Sequence, residues 1–139
     1  MKPAAKSIVL VDDEKSYGEL MMQLLAENLD CPVHVFCRPL EALEALPGLD
    51  PAVVVTDYFM PQIDGIEFIR RATPLVPGGA FVMITGHNLG DKEDELARLA
   101  LLKGFIAKPV GWRRLADEII RVWPEAAAAP THRADATSL

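Results

Sequence analysis

Four short apolar runs in this chain each stop at a residue that can handle charge. "IVLV" leads into Asp12-Asp13, "VVVT" into Asp57, "VMI" into Thr85 and "FIA" into Lys108-Pro109. Three carboxylates drawn into one crevice repel each other and need a cation. With no His or Cys beside them, these hard oxygen donors favour Mg²⁺ over zinc, and such a site keeps open positions for water and phosphate oxygens. Lys108 adds a fixed positive charge and Thr85 a hydroxyl donor, so the set suits a phosphoryl group. Asp57 stands alone in the middle of the set and is the natural nucleophile for in-line attack on phosphorus. Taken singly, each residue has an ordinary structural explanation. An Asp after a strand is commonly a helix cap or turn former, and Lys-Pro is often only a strand end. Their joint placement is what points to chemistry.

Positions so far apart in sequence meet only in a fold that gathers strand ends. Apolar, β-branched runs at 7–11, 33–36, 52–56, 80–84 and 104–107 alternate with amphipathic stretches, the pattern of βα units around a parallel sheet. Tyr17, Leu20, Met21, Leu24 and Leu25 share one helical face. Pro39 opens a second helix, which Pro47-Gly48 is expected to close. Asp64 caps a third through "GIEFIRRA", ended by Pro74. The spacing predicts a fourth helix over "DKEDELARLALL", with acids at the end where the helix dipole favours them. A fifth carries Trp112, Leu115, Ala116, Ile119, Ile120 and Trp123 on one face and stops at Pro124. Ligands in open α/β sheets bind at the carboxyl ends of strands, near the point where strand order reverses. The polar ends converge if the second strand is an edge, which gives the order 2-1-3-4-5 in a doubly wound parallel sheet.

Composition narrows the function class. The 139 residues carry 14 basic and 20 acidic side chains, a net charge of −6, which argues against direct nucleic-acid binding. The apolar runs are far too short to span a membrane. "MKPAAKSIVLVDDE" turns acidic too soon for a signal peptide, so the cytoplasm is the expected compartment. Cys31 and Cys37 are then expected as reduced, packed thiols. The expected organisation is one domain over 1–123, followed at 124–139 by a flexible C-terminal tail or the start of a linker.

The motifs "IVLVDDE", "VVVTDYFMPQIDG", "MITG" and "FIAKP", in this order, resemble the receiver domain of bacterial two-component response regulators over about residues 6 to 123. The resemblance implies a flavodoxin-like (βα)₅ fold and a phosphorylation-controlled switch rather than an enzyme. By it, Asp57 accepts phosphoryl from the phosphohistidine of a sensor histidine kinase or phosphotransfer protein. Asp13, Asp57 and the main-chain carbonyl of Phe59 hold Mg²⁺, and Asp12 orders the metal's water shell. Thr85 and Lys108 bind the phosphoryl oxygens, and Phe105 stands where the family keeps its switch aromatic. Phosphorylation then repacks the face of helix four, strand five and helix five for a downstream protein partner, and a homodimer through that face is a common variant.

The chain also departs from the family pattern. Phe59 and His87 occupy the positions that tune water attack on the phosphoaspartate, and Phe59 cannot position water, so a long-lived phosphoryl group is expected. Leu101 and Leu102 replace a common Gly-Ala pair, Leu89 and Gly90 loosen the entry to the fourth helix, and Val110 stands where Phe is common. Two other readings compete. One is a receiver-like interaction module that is never phosphorylated. The other is a Mg²⁺-dependent phosphatase of the haloacid dehalogenase type, which wants Asp-x-Asp where this chain has Asp12-Asp13-Glu14.

Overall fold

A computed structural model describes residues 6–132. Its elements are β1 (Ser7–Val11), α1 (Lys15–Asn28), β2 (Val33–Phe36), α2 (Pro39–Leu49), β3 (Pro51–Asp57), α3 (Gly65–Ala72), β4 (Ala80–Thr85), α4 (Glu93–Ala97), β5 (Leu102–Ala107) and α5 (Trp112–Val122). The five strands are parallel in the order β2-β1-β3-β4-β5, as the convergence of polar strand ends required. Both faces of the central strands are covered, which is why β1, β3 and β4 are buried at every position and apolar except at Ser7, Thr56, Asp57 and Thr85. One core lies under α1 and α5, built on Leu25, Leu115 and Ile119. The other lies under α2 and α3, built on Leu46, Phe68 and Phe81.

Several local details follow the sequence. Asp64 caps α3, its carboxylate accepting from the Glu67 N–H at 2.8 Å. α5 presents Leu115, Ala116 and Ile119 inward and ends before Pro124. Among the described residues, Cys31 and Cys37 are not joined to each other.

Two helices differ from expectation. Pro47-Gly48 does not close α2, which runs on to Leu49 and ends at Asp50 in the left-handed region, φ 48°. A proline this close to a C-terminus removes only one intrahelical bond. The last turn is held from outside, by the Ser7 hydroxyl donating to the Leu49 carbonyl at 2.7 Å and the Ser7 N–H to the Asp50 carbonyl at 3.2 Å. The fourth helix is far shorter than the 91–102 predicted. Only Glu93–Ala97 is α-helical, after a 3₁₀ turn at Gly90–Lys92. Beyond it the chain tightens: Leu99 N–H bonds the Leu96 carbonyl at 3.1 Å and Leu102 N–H the Leu99 carbonyl at 3.0 Å. Leu101 and Leu102 are claimed by the sheet instead, with the Phe81 N–H bonding the Leu101 carbonyl at 2.8 Å and Leu102 in register with Phe81. β5 therefore starts two residues before the expected "GFIA" run.

After α5 the chain turns back toward the end of α1. The Thr131 N–H and hydroxyl both donate to the Asp30 carboxylate, at 2.6 and 2.7 Å, and His132 forms an isolated antiparallel bridge with Leu29. The remainder of the expected tail, 133–139, lies outside the described residues.

Candidate functional site

The carboxyl ends of β1, β3, β4 and β5 deliver the polar residues to one edge of the sheet. Asp12 follows β1. Its N–H bonds the Phe36 carbonyl at 3.0 Å and its carboxylate accepts from the Glu14 N–H at 2.8 Å, turning the chain into α1. Asp57 is the last residue of β3, and the Tyr58 N–H holds the strand end to the Ile84 carbonyl at 3.0 Å. Gly65 closes this loop by donating to the Tyr58 carbonyl at 2.7 Å. A Cβ there would lie 2.6 Å from the Asp57 carbonyl oxygen and 2.9 Å from Tyr58 Cα, so only glycine lets α3 start this close to the acid. Thr85 ends β4, and its carbonyl accepts from the Lys108 N–H at 2.9 Å. The Lys108–Pro109 peptide is cis.

The residues brought together are Asp12, Asp13, Asp57 and Lys108. Oxygen atoms of the three carboxylates lie within 4.8 Å of one another. Lys108 Nζ sits 2.8 Å from Asp57 Oδ2 and 3.8 Å from Asp12 Oδ2. Asp12 and Asp57 are buried while Asp13 is exposed, so two acids sit in the wall and one at the rim. Burial pushes the Asp12 pKa up to about 6. Its hydrogen bond from Glu14 and the Lys108 charge pull it back, while Asp57 and Asp13 raise it further. Burial by itself would lower Lys108, but the hydrogen bond to Asp57 and the charges of Asp12 and Asp57 together outweigh it and hold the ammonium above its ordinary range. A divalent cation fits here on two grounds. The donors are hard oxygens, and the mutual repulsion felt by Asp12 is what a cation would relieve.

An open cleft of ≈ 470 Å³ spreads in front of these groups, lined in part by Glu14, Phe59 and His87. Phe59 is 65% exposed and stacks on His87, with ring centroids 5.4 Å apart and planes at 26°; Tyr58 meets His87 edge-on at 6.4 Å. Thr85 is buried, its hydroxyl oxygen accepting from the His87 N–H at 3.0 Å. Phe105 is not part of the cleft wall. It pairs with Met83 along the edge strand and is 44% exposed.

The sequence profile of the response regulator receiver domain matches residues 8–120. This chain belongs to the response regulator receiver family. The receiver is 32% identical over 121 residues to the C4-dicarboxylate transport transcriptional regulatory protein DctD of Rhizobium meliloti (strain 1021), an alignment covering 85% of the chain and 25% of that relative. It is also 32% identical over 139 residues to the protein-glutamate methylesterase/protein-glutamine glutaminase 1 of Albidiferax ferrireducens, covering 93% of the chain and 36% of the relative. The receiver thus spans about a quarter to a third of the length of these curated relatives. In fold it is similar to a CheY-like response regulator receiver domain protein from Methanospirillum hungatei JF-1, with TM-score 0.71 and 22% identity over 84% of this chain and 91% of that one. Among the described residues, no helix is long and apolar enough to cross a membrane.

Two features of the receiver went unread in the sequence. Tyr17, counted only as part of a helical face, borders the acidic cluster. Burial first, then the Asp12 charge, push its phenol upward, so it stays a neutral donor. The available signal was position, since Tyr17 stands in the first turn of α1, directly after Asp12-Asp13-Glu14. The second is Glu118, a buried acid on α5 held by Arg114 and Arg121; their i, i+4 and i, i+3 spacing was the available signal for the ion pairs, but not for the burial of the acid.

Proposed function

We propose that this receiver is phosphorylated on Asp57 by the phosphohistidine of a sensor histidine kinase or phosphotransfer protein. The observation that carries the reading is Lys108 Nζ, held 2.8 Å from a carboxylate that also belongs to a three-acid cluster at the mouth of an open cleft. An Asp57 oxygen forms the new bond to phosphorus, the P–N bond of the donor breaks, and the imidazole leaves with its electron pair and takes up a proton. Lys108 and the Thr85 hydroxyl bind the phosphoryl oxygens. Asp13, Asp57 and the main-chain carbonyl of Phe59 would hold Mg²⁺, with Asp12 beside them to order its water. When bound, the ion neutralises charge on the phosphoryl oxygens.

The output is conformational. A phosphoryl group on Asp57 draws Thr85 toward it, and with it the loop that carries His87, so Phe105 moves inward and the surface of α4, β5 and α5 changes. A downstream protein, or a second copy of the receiver, that prefers the altered surface then stabilises the phosphorylated form by linkage. Phosphoryl transfer and loss are incidental to this switching.

Intact mass after incubation with Mg²⁺ and acetyl phosphate, beside Asp57→Asn, tests the reading. One phosphoryl adduct in the wild type, absent in the variant and with EDTA, is the expected result. No adduct, with purified kinases also tried as donors, would instead make the receiver an unphosphorylated interaction module.

A further inference from the structure

The ammonium of Lys108 is held from a third direction that neither carboxylate supplies. Its Nζ lies 5.7 Å from the centroid of the Tyr17 ring, within the range of a cation–π contact. The same tyrosine reaches past Lys108, and its hydroxyl donates to the carbonyl of Val110 at 3.0 Å. One side chain on α1 thus touches the lysine at its tip and the loop two residues further on. Tyr17 and Val110 are 93 positions apart in sequence. The chain between them includes β2 to β5, so this bond ties the first βα turn to the last.

The placement matters because a lysine is a flexible stem carrying a compact charge. Its Nζ is hydrogen-bonded to Asp57, lies 3.8 Å from Asp12 and has the Tyr17 ring on a further side, while the cleft remains open to it. Tyr17 is half-buried, and Leu115 lines a void of ≈ 10 Å³ beside it, together with Asp12 and Asp57. On that inner side there is little empty space beside the ring.

We propose that Tyr17 is a positioning residue for phosphoryl transfer. Its ring fixes the direction of the Lys108 ammonium, and its hydroxyl fixes the Lys108–Val110 loop that carries it. The role rests on Asp57 being the phosphoryl acceptor, and it acts only through Lys108. Removing the hydroxyl alone leaves the ring over the lysine, so Tyr17→Phe is expected to slow phosphorylation a few-fold. Tyr17→Leu loses both contacts and is expected to slow it about tenfold or more, the range of a lost charge-positioning contact. The effect falls on the maximal rate rather than on the half-saturating concentration of the donor. Mg²⁺ affinity is unchanged or tighter, because a loosened Lys108 competes less for Asp57.

The test measures the rate of adduct formation from acetyl phosphate for wild type, Tyr17→Phe, Tyr17→Leu, Lys108→Ala and the Tyr17→Leu/Lys108→Ala double variant. It is paired with Mg²⁺ titration and with the ¹⁵N NMR signal of the Lys108 ammonium, which is visible only while its protons are held from solvent exchange. Expected are a non-additive double variant, in which Tyr17→Leu costs nothing once Lys108 is gone, and loss of the ammonium signal in Tyr17→Leu. Additive losses, weakened Mg²⁺ binding or an unchanged Lys108 signal in Tyr17→Leu would each overturn the assignment. A wild type that takes no phosphoryl group defeats the proposed function, and with it a role for Tyr17 in transfer. The NMR comparison would then still decide whether Tyr17 holds Lys108.

Discussion

Asp12 is a charge carried into the protein interior at a cost, and its pKa shows how that cost depends on pH. Burial raises it from 3.8 to about 6, so the folded state binds this proton more tightly than the unfolded chain does. Stability contributed at this position is therefore greatest below about pH 4, is lost as pH rises through about 6, and stays lost above. Asp12→Asn, measured by urea unfolding without added metal, is expected to be more stable than wild type at pH 7.5 by about 1–2 kcal/mol, part of the full shift being offset by an amide facing Lys108. The gain should vanish near pH 4; an equal gain at both pH values would mean that the charge is not its cause. Phe59 makes the second residue-scale prediction. Its ring lies over His87 and carries no hydrogen-bonding group, so under the proposed function it would shield the acyl phosphate rather than orient water. Phe59→Asn is expected to shorten the phosphoryl lifetime by about tenfold, less than a full general base achieves. A decay curve of the mass adduct checks this, and an unchanged rate would sink it.

The elements deliver the site through a few close approaches, and these are where small changes cost most. Gly65 lets the first turn of α3 touch the end of β3. Gly65→Ala forces backbone against backbone and is expected to destabilise the receiver by about 1–3 kcal/mol, read as a lower urea midpoint at an unchanged slope. At the other edge, α5 is fastened to β5 through Arg121, which the Glu118 carboxylate holds. That carboxylate meets Arg121 at 2.6 Å and Arg114 at 3.1 Å, and Arg121 also donates to the Lys103 carbonyl at 2.9 Å. Arg121, and then Arg114, hold the Glu118 pKa below its usual value against the effect of burial. A depressed carboxyl stabilises the fold above its unfolded pKa and loses that contribution as pH falls through the folded one. Glu118→Gln should therefore cost about 1 kcal/mol at pH 7, a modest figure because both guanidinium groups are more than half exposed. Below the folded pKa the cost should disappear. A Cβ at Gly104 would lie 2.6 Å from Glu118 Oε2, so the residue before Phe105 is packed directly on this acid.

At the scale of the whole molecule, an excess of acid over base meets a site that concentrates three carboxylates on one edge. A ligand that binds only the folded state adds RT ln(1 + [L]/Kd) to stability. Mg²⁺ at ten times its dissociation constant is thus expected to add about 1.4 kcal/mol and to raise the melting temperature, while Na⁺ at equal ionic strength does not. Asp13→Ala should abolish the difference between the two salts. If Asp13→Ala kept the full Mg²⁺ response, the cation would have to bind elsewhere.

The alternation of five apolar runs with amphipathic stretches determined the α/β class. The polar residues closing four of those runs determined the strand order, because both are periodic or terminal features written locally in the chain. Asp64 as a cap and Asp12, Asp13, Asp57, Thr85 and Lys108 as strand-end residues were legible for the same reason. Only the tertiary structure decided where local propensity yields. α4 stops at Ala97 although its acids and leucines suit a longer helix, because pairing with β4 takes Leu101 and Leu102 into the sheet. α2 passes through Pro47 because Ser7, from another strand, holds its last turn. Tyr17 on Lys108 and Val110, Glu118 against Gly104, and Phe59 on His87 join residues distant in sequence, and no periodicity records them. Such contacts exist only once the sheet has brought the segments together.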